Sequence, residues 1–163
     1  MIFGHVGVAY AIRNARRDAP LVPLVAATLL PDVANYAVDA LRIADPFDIY
    51  SHSLPAIGAL AVAAFLVALA ISRNRGIAIA MAAAVALHLP PDLITGEKGL
   101  WLHGPVVGLM LYLHPAWDFV LESGVIVAGW LLLRRDTRAP RWATSMIAPA
   151  LLIAGQALYN LSN

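Results

Sequence analysis

Residues 54–72, LPAIGALAVAAFLVALAIS, form an uninterrupted apolar stretch that decides the class of this protein. The stretch carries no charged side chain, and a membrane-crossing helix needs roughly 20 such residues. The whole chain of 163 residues has the same character, because 61% of it is hydrophobic and only 13% is charged. A soluble domain carries about 25% charged residues. The sequence therefore predicts an integral membrane protein with a single domain over residues 1–163.

Four further apolar segments lie on either side of this stretch, at residues 20–41, 77–95, 105–133 and 143–161. The segment 105–133 is too long for one simple crossing, and we expect Pro115 to begin its helix because proline fits the first helical turn. Residues 1–12 are too short to cross and predict a partly inserted N-terminal helix. The expected fold is an all-α polytopic membrane bundle of about five transmembrane helices plus this short helix.

The basic residues indicate how such a bundle is oriented. Of the 11 Lys and Arg residues, nine fall into three clusters between the apolar segments: Arg13, Arg16 and Arg17; Arg73 and Arg75; Arg134, Arg135, Arg138 and Arg141. Five crossings place all three clusters on one side, which basic loops identify as the cytoplasmic side. The loops 42–53 and 96–104 then face outward. With a net charge of +1 and no basic tail, the expected partner is the lipid bilayer and not a nucleic acid.

Ionisable side chains interrupt several of the apolar segments at a similar depth. At about 1.5 Å per residue, four of them lie roughly 5–13 Å below the expected outer helix ends: Asp32, His88, Asp92 and Glu122. Asp118 is shallower than these, and His52 lies at the outer mouth of the second segment. Because ionisable groups inside a membrane are costly unless paired, they indicate a functional site by default.

Histidine and carboxylate side chains at a matching depth are a natural ligand set for a divalent metal such as zinc. His88 and Asp92 are four residues apart and share one helical face. Pro91 between them removes a backbone hydrogen bond, which a membrane helix tolerates where the freed carbonyl is buried in protein or lines a cavity. The chain has no cysteine, so a thiolate site is excluded.

Each of these residues also has a purely structural interpretation. His88 and Asp92 could form a hydrogen-bonded pair between helices, and Asp32 could cap a second half-helix after Pro31. His52 could belong to the loop that enters the second segment, and His5 could be idle at the membrane interface. The common depth of the set favours the metal site over these separate interpretations.

Four short motifs occur in an order that resembles a known family: GHVGVAYA at 4–11, LLPD at 29–32, YSHSL at 50–54 and HLPPDLITG at 88–96. The family is that of the prokaryotic membrane-bound metal-dependent hydrolases, which includes the LexA-binding inner-membrane hydrolases, and the resemblance covers about residues 1–122. It implies a multi-pass protein of the prokaryotic inner membrane, with Glu122 similar to an acid that the family carries in the next helix. It also implies a set of metal ligands: His5, Asp32, His52, His88 and Asp92.

The chain departs from the family pattern at two places. Asn35 stands where many members are rich in acid, and the His-Arg pair that often precedes His-Ser is absent, with Asp48 as the nearest polar residue. These departures put a second metal in doubt. The chain also has a remoter similarity to the helical zinc phospholipase C and P1 nuclease group, in which His114 and Asp118 would match a late His-x-x-x-acid pair.

These features together predict a metal-dependent hydrolase that acts on a membrane-associated ester or phosphoester, such as a lipid. Zinc would lower the pKa of a bound water, and an unligated carboxylate, Glu122 or Asp118, would act as general base. One alternative is metal or proton transport, for which the apolar inner halves of the segments offer no pathway. Another is a structural metal that ties the helices together, which closed four-ligand coordination would favour.

Overall fold

The computed structural model describes residues 1–162, and these residues are mostly helical. Ten α-helices follow one another along this part of the chain: α1 Gly4–Ala15, α2 Leu21–Thr28, α3 Leu30–Ala40, α4 Ile49–His52, α5 Leu54–Ser72, α6 Arg75–Ala86, α7 Leu89–Thr95, α8 Pro115–Leu133, α9 Arg141–Thr144 and α10 Ile147–Ser162. Two short strands, β1 Lys98–Gly99 and β2 Val106–Val107, lie between α7 and α8. The all-α class is confirmed.

Three helical segments of residues 1–162 are long and apolar enough to cross a membrane: Pro46–Ser72, Arg75–Thr95 and Pro115–Leu133. The pair α2 and α3 makes a fourth if it is counted as one broken span. The predicted segment 143–161 is divided between α9 and the shorter apolar helix Ile147–Leu161, because Ser145 adopts an extended backbone conformation. The described chain thus has three or four segments of crossing length, where the sequence predicted five.

The helix α5 shows most clearly what surrounds this fold. It is apolar along its whole length of 19 residues, yet Ile57 is its one buried residue. A helix that is apolar on all faces is normally covered by protein or by lipid. Its bounds agree with the predicted stretch 54–72, because the Ser53 hydroxyl accepts a hydrogen bond from the Ala56 amide at 3.3 Å and Arg73 ends the helix in a left-handed conformation.

Prolines break two segments that the sequence predicted as continuous helices. A bend of 48° at Leu29, ahead of Pro31, separates α2 from α3. A turn at Leu87 and His88, ahead of Pro90 and Pro91, separates α6 from α7. Proline causes such breaks because it has no amide hydrogen and its ring clashes with the carbonyl four residues earlier. Both breaks lie beside residues of the candidate site.

The helices α1 and α8 run parallel and define the two ends of the bundle. Gly4 contacts Glu122 at one end, and Arg13 contacts Asp136 at the other. Gly7 packs directly on the backbone of α8 at Val125, where a side chain would not fit. We call the end with Glu122 the site end. The opposite end, where Arg13 contacts Asp136 and Arg16 contacts Asn74 at 3.2 Å, is the arginine end.

The core between the two ends is apolar and consists mainly of small side chains. One buried cluster joins α1, α2 and α6: Ala9, Ala19, Leu24, Ala27, Ala80, Met81, Ala84 and Val85. A second cluster joins α1 and α2 to the arginine-end half of α8 and to α9: Tyr10, Leu21, Trp130, Leu133 and Ala143. These clusters fix α1, α2, α6 and α8 relative to one another, because packed interiors leave few voids. The helices α3 and α7, which carry Asp32 and Asp92, continue directly from α2 and α6.

An antiparallel hairpin that the sequence did not predict lies at the site end. Lys98 of β1 pairs with Val107 of β2. Lys98 lies inside the segment 96–104, which was predicted as a loop, and Val107 lies just beyond it. The amide of Leu54 donates to the Leu100 carbonyl at 2.9 Å, and the amide of Leu109 donates to the Leu93 carbonyl at 2.8 Å. The hairpin therefore ties the beginning of α5 to α7.

Candidate metal centre

Four side chains converge at the site end from four different elements: Asp32, His52, His88 and Asp92. Asp32 lies in the first turn of α3, and His52 is the last residue of α4. His88 lies in the break before α7, and Asp92 follows one turn later within α7. The proline breaks and the short helix α4 thus place three of the four residues at helix ends, where the backbone can turn each side chain toward a common point.

The donor atoms of this cluster have the spacing of a tetrahedral metal site. The Nε2 atoms of His52 and His88 lie 3.0 Å apart, and each lies 3.1 Å from Oδ2 of Asp92. Each also lies 3.5 Å from Oδ1 of Asp32. A tetrahedral ion with ligands at about 2.0–2.1 Å has ligand-to-ligand edges of roughly 3.3–3.4 Å. Five of the six edges, at 3.0–3.5 Å, therefore fit a single central ion, and the sixth, between Asp32 and Asp92, lies within 4.8 Å.

The break between α2 and α3 sets the orientation of His88. The Nδ1 atom of His88 lies 2.6 Å from the carbonyl oxygen of Thr28, the last residue of α2. Because a carbonyl oxygen only accepts, Nδ1 must donate. In the neutral ring Nε2 then carries a lone pair, which points toward the cluster. A hydrogen bond of this kind to the outer nitrogen is typical of metal-binding histidines.

A serine and an amide orient His52 in the same way. The Ser51 hydroxyl donates to Oδ1 of Asn35 at 3.0 Å, so the Ser51 oxygen is available to accept from Nδ1 of His52 at 2.7 Å. The Nε2 atom of His52 is then the one with a lone pair. Asn35, which the sequence marked as a departure from the acid-rich family pattern, here supports a ligand through Ser51.

A cation at its centre would neutralise the resulting group. His88 is fully buried, and His52 and Asp92 are only 2% exposed, whereas the Asp32 side chain is 18% exposed. Nε2 of His52, Nε2 of His88 and Oδ2 of Asp92 form a near-equilateral triangle, and one proton can lie on only one of its edges. Two carboxylates buried beside two lone pairs are costly unless a positive charge compensates them. The group can hold a divalent metal ion.

Comparisons with known proteins add no name to this site. No protein-family model matches the chain, and no curated protein or solved structure matches it. The resemblance to membrane-bound hydrolases therefore rests on the four motifs and stays a prediction. The support for a metal site comes from the geometry of the four side chains and from the contacts that orient them.

His5, which the resemblance implied as a fifth ligand, lies beside the group and not in it. Its Nε2 atom is 3.1 Å from Oδ1 of Asp92, the carboxylate oxygen that faces away from the other ligands. Its ring stacks on that of His88 with centroids 3.7 Å apart. Because a carboxylate oxygen only accepts, Nε2 of His5 donates to Asp92, and Nδ1 has no hydrogen-bond partner. The structure thus places His5 as a support for Asp92.

Met1 and Tyr112 also lie against this group, and no sequence pattern predicted either of them. The amino group of Met1 donates to Oδ1 of Asp92 at 3.0 Å and also to the hydroxyl of Tyr112. Partial burial, together with the negative charges of Asp92, Glu122 and Asp118, raises the pKa of the Tyr112 phenol well above its usual range. Tyr112 therefore remains a neutral hydroxyl, and only its place in the connection before α8 brings it to the site.

Glu122 and Asp118, the predicted general bases, lie one turn apart on α8, and both are buried. Oε2 of Glu122 accepts from the amide of Gly4 at 3.0 Å, while Oε1 has no partner. Oδ2 of Asp118 accepts from Gln156 at 3.3 Å, and Oδ1 has no partner. Neither belongs to the four-residue group. His103 and His114 are exposed and lie outside it.

Proposed function

We propose that this protein binds one zinc ion at the site end, and that this ion serves the hydrolysis of a membrane-associated ester or phosphoester. The observation that carries the proposal is the set of two imidazole nitrogens and two carboxylate oxygens that converge on one point, with five of their six separations at 3.0–3.5 Å. Zinc is the common ion that combines imidazole and carboxylate ligands in four-fold tetrahedral geometry.

Zinc would be held by His52, His88 and Asp92 as the fully buried ligands, with Asp32 as the more exposed one. When bound, it supplies a water of lowered pKa and polarises the scissile group. Asp32 is the ligand whose replacement by water or substrate costs least, because its side chain already reaches the surface and its Oδ2 has no partner. The open side of the site therefore lies at Asp32.

Glu122 is the best candidate for the general base. It is joined to the centre through the beginning of α1, because Gly4 donates to Glu122 and the next residue, His5, donates to Asp92. One carboxylate oxygen, Oε1, is buried without a hydrogen-bond partner, so it is available to take up a proton. Asp118 is already engaged by two amide groups, those of Gln156 and Asn160.

We further propose that the bundle makes five membrane crossings, with α2 and α3 as one broken crossing and α10 as the last. The contacts of Arg13 with Asp136 and of Arg16 with Asn74 support one common basic end. By the preference of basic loops for the cytoplasm, the arginine end is cytoplasmic in a prokaryotic inner membrane, and the site faces the other side. A lipid ester or phosphoester is then the nearest substrate class.

A purely structural metal is the second candidate, and the closed geometry specifically favours it. Four protein donors already complete a tetrahedron, whereas catalytic zinc sites keep one position open. Transport is less well supported, because the buried residues between the site and the arginine end are apolar, as at Leu24, Met81 and Val85. The experiment must therefore separate a catalytic from a structural ion.

The test compares wild type with Glu122→Gln, both purified in detergent and reconstituted with zinc. Each is assayed on nitrophenyl esters, nitrophenyl phosphodiesters and phospholipid vesicles. Removing a general base should reduce turnover roughly 100-fold or more, while zinc content and melting temperature stay unchanged. Glu97→Gln is the matched control, since Glu97 is exposed near the same end of the bundle and should change nothing.

The hydrolase proposal is contradicted if zinc-loaded wild type turns over none of these substrates and chelation only lowers its melting temperature. That result would leave the structural ion as the function of the site. Equal turnover by wild type and Glu122→Gln would instead remove Glu122 from the mechanism.

A further inference from the structure

A polar cleft opens beside α8, at the site end, away from the four metal ligands. It has a volume of about 260 Å³ and is lined by residues of the connection before α8, the start of α8 and the end of α10: Tyr112, Pro115, Asp118, Tyr159 and Asn160. Since a water molecule takes up about 30 Å³, the cleft has room for a small organic group.

The charge of this cleft is negative. Asp118 is 1% exposed and forms no ion pair within residues 1–162. Two amide groups, those of Gln156 and Asn160, each donate to its Oδ2 at 3.3 Å, which leaves Oδ1 without a partner. Glu122 is also buried one turn further along α8, but it lies outside the lining of the cleft. A buried carboxylate with a free oxygen favours a cation over an anion at such a site.

The walls of the cleft are aromatic. Tyr112 and Tyr159 contribute partly exposed rings, and aromatic faces attract cations, including alkylammonium groups of ligands. A carboxylate that lines the same cleft as two such rings favours an organic ammonium. A phosphate group would meet the carboxylate with like charge and is disfavoured. A metal ion would find one free oxygen of Asp118 here and no imidazole.

The depth of the cleft indicates where such an ammonium comes from. Asp118 is the fourth residue of α8, roughly 5 Å from the start of that helix, and Tyr159 and Asn160 lie in the last turn of α10. Trp117 and Leu113 beside it are exposed, as is usual for residues that lie at a membrane interface. In the proposed membrane topology, the cleft is therefore level with lipid headgroups.

We infer that this cleft binds the ammonium of a phosphatidylethanolamine headgroup, with Asp118 as its counter-ion and Tyr112 and Tyr159 as its aromatic walls. As a binding site the cleft stands apart from the metal centre. Only its use as a substrate subsite rests on the proposed hydrolase function. The cleft is connected to the metal centre through two hydrogen bonds, because the Tyr112 hydroxyl accepts from the Met1 amino group that also donates to Asp92.

The experiment measures binding without turnover. Short-chain phosphatidylethanolamine, short-chain phosphatidylglycerol and free ethanolamine are each titrated into the detergent-solubilised full chain by calorimetry, with zinc present and with zinc chelated. We expect phosphatidylethanolamine to bind about tenfold tighter than phosphatidylglycerol, with or without zinc. Asp118→Asn should abolish that preference, because it keeps the size of the side chain and removes its charge.

Two further variants, Tyr159→Leu and Tyr159→Phe, test the cleft independently in case Asp118→Asn does not fold. The leucine variant should lose severalfold in affinity while the phenylalanine variant keeps it, since only the aromatic face is needed. Glu97→Gln, which removes an exposed charge outside the cleft, should bind like wild type. Equal binding of the two lipids by wild type, an unchanged preference in Asp118→Asn, or free ethanolamine binding as tightly as the lipid would each overturn the inference.

Because zinc content and lipid binding are read separately, the two proposals can fail separately. If wild type hydrolyses no substrate but still prefers phosphatidylethanolamine, the hydrolase proposal is wrong and the headgroup site is supported. If wild type hydrolyses a substrate but shows no headgroup preference, the headgroup site is wrong and the hydrolase proposal is supported.

Discussion

The two ends of this bundle both bury charged side chains, but they neutralise them differently. At the arginine end, Nε of Arg13 donates to Oδ2 of Asp136 at 3.0 Å, and the amide of Arg138 donates to Oδ1 at 3.0 Å. Both carboxylate oxygens are thereby satisfied within the protein. At the site end, two carboxylates and two imidazoles direct lone pairs at one another, and Oδ2 of Asp32 has no partner.

The difference separates a structural pair from a binding site. Buried ionisable groups alone identify neither, because both ends have them. The site end differs because its histidines are oriented by contacts to their outer nitrogens, from Thr28 to His88 and from Ser51 to His52. These contacts leave the Nε2 lone pairs facing the carboxylate oxygens, so that hydrogen-bond acceptors face one another. A metal cation would stabilise an arrangement of that kind, whereas the arginine end needs nothing further.

Breaking the arginine end should have the largest effect on stability. Asp136→Ala leaves the buried Arg13 guanidinium without its carboxylate, and the loss of one partner of a buried pair costs about 3–5 kcal/mol in unfolding free energy. The measurement is unfolding in mixed detergent micelles. The double variant Arg13→Met with Asp136→Leu should recover most of the loss and keep its zinc. If the double variant is as unstable as Asp136→Ala, the claim that the two residues of this pair need only each other is contradicted.

Removing the metal should have the next largest effect, and only at the site end. With free zinc at 100 times its dissociation constant, binding adds about 2.7 kcal/mol to the stability of the folded state. Chelation should lower the melting temperature of wild type accordingly and leave that of His88→Ala unchanged. His114→Ala, an exposed histidine at the same end, should respond like wild type. Identical responses of His88→Ala and wild type would place the stabilising metal elsewhere.

The orienting contacts of the site should matter less than the ligands. Ser51→Ala removes the oxygen that accepts from Nδ1 of His52, and loss of such a contact lowers metal affinity roughly 10–100-fold. Competition with a chromophoric chelator measures this affinity. Ser72→Ala, at the end of α5, provides the matched control. An unchanged affinity in Ser51→Ala would mean that the tautomer of His52 is not set through this serine.

The smallest effect is expected at His5. His5→Gln keeps a donor near Oδ1 of Asp92, so affinity should fall by less than about tenfold and the zinc-to-protein ratio should stay at one. A ligand of the metal would behave like His88 and lose the metal. Loss of stoichiometric zinc in His5→Gln would therefore restore His5 to the ligand set that the family resemblance implied.

The sequence predicted the features that depend on local chemistry. The bounds of α5 followed from an unbroken apolar stretch, and Pro115 begins α8 because proline suits a first turn. Equal depth along the predicted helices selected Asp32, His88 and Asp92, but it also selected Glu122, which lies outside the four-residue group. Depth depends only on the rise per residue, which is nearly constant in any helix.

The features that the sequence missed depend on contacts between distant segments. Depth does not say which face a residue presents, so His5 could not be distinguished from a ligand. The contact between His88 and the Thr28 carbonyl required knowing that Pro31 breaks the first segment into α2 and α3. The hairpin at Lys98–Gly99 carries no strand pattern, because two residues are too few to show one.

The most direct test of the account is X-ray absorption at the zinc edge of purified protein, combined with its zinc content by mass spectrometry. We predict one zinc per chain with four nitrogen and oxygen neighbours at about 2.0–2.1 Å, two of them imidazoles. Zinc should be lost when both His52 and His88 are replaced by alanine. A wild-type protein without stoichiometric metal after zinc reconstitution, or an unchanged spectrum in that double variant, would contradict the central claim.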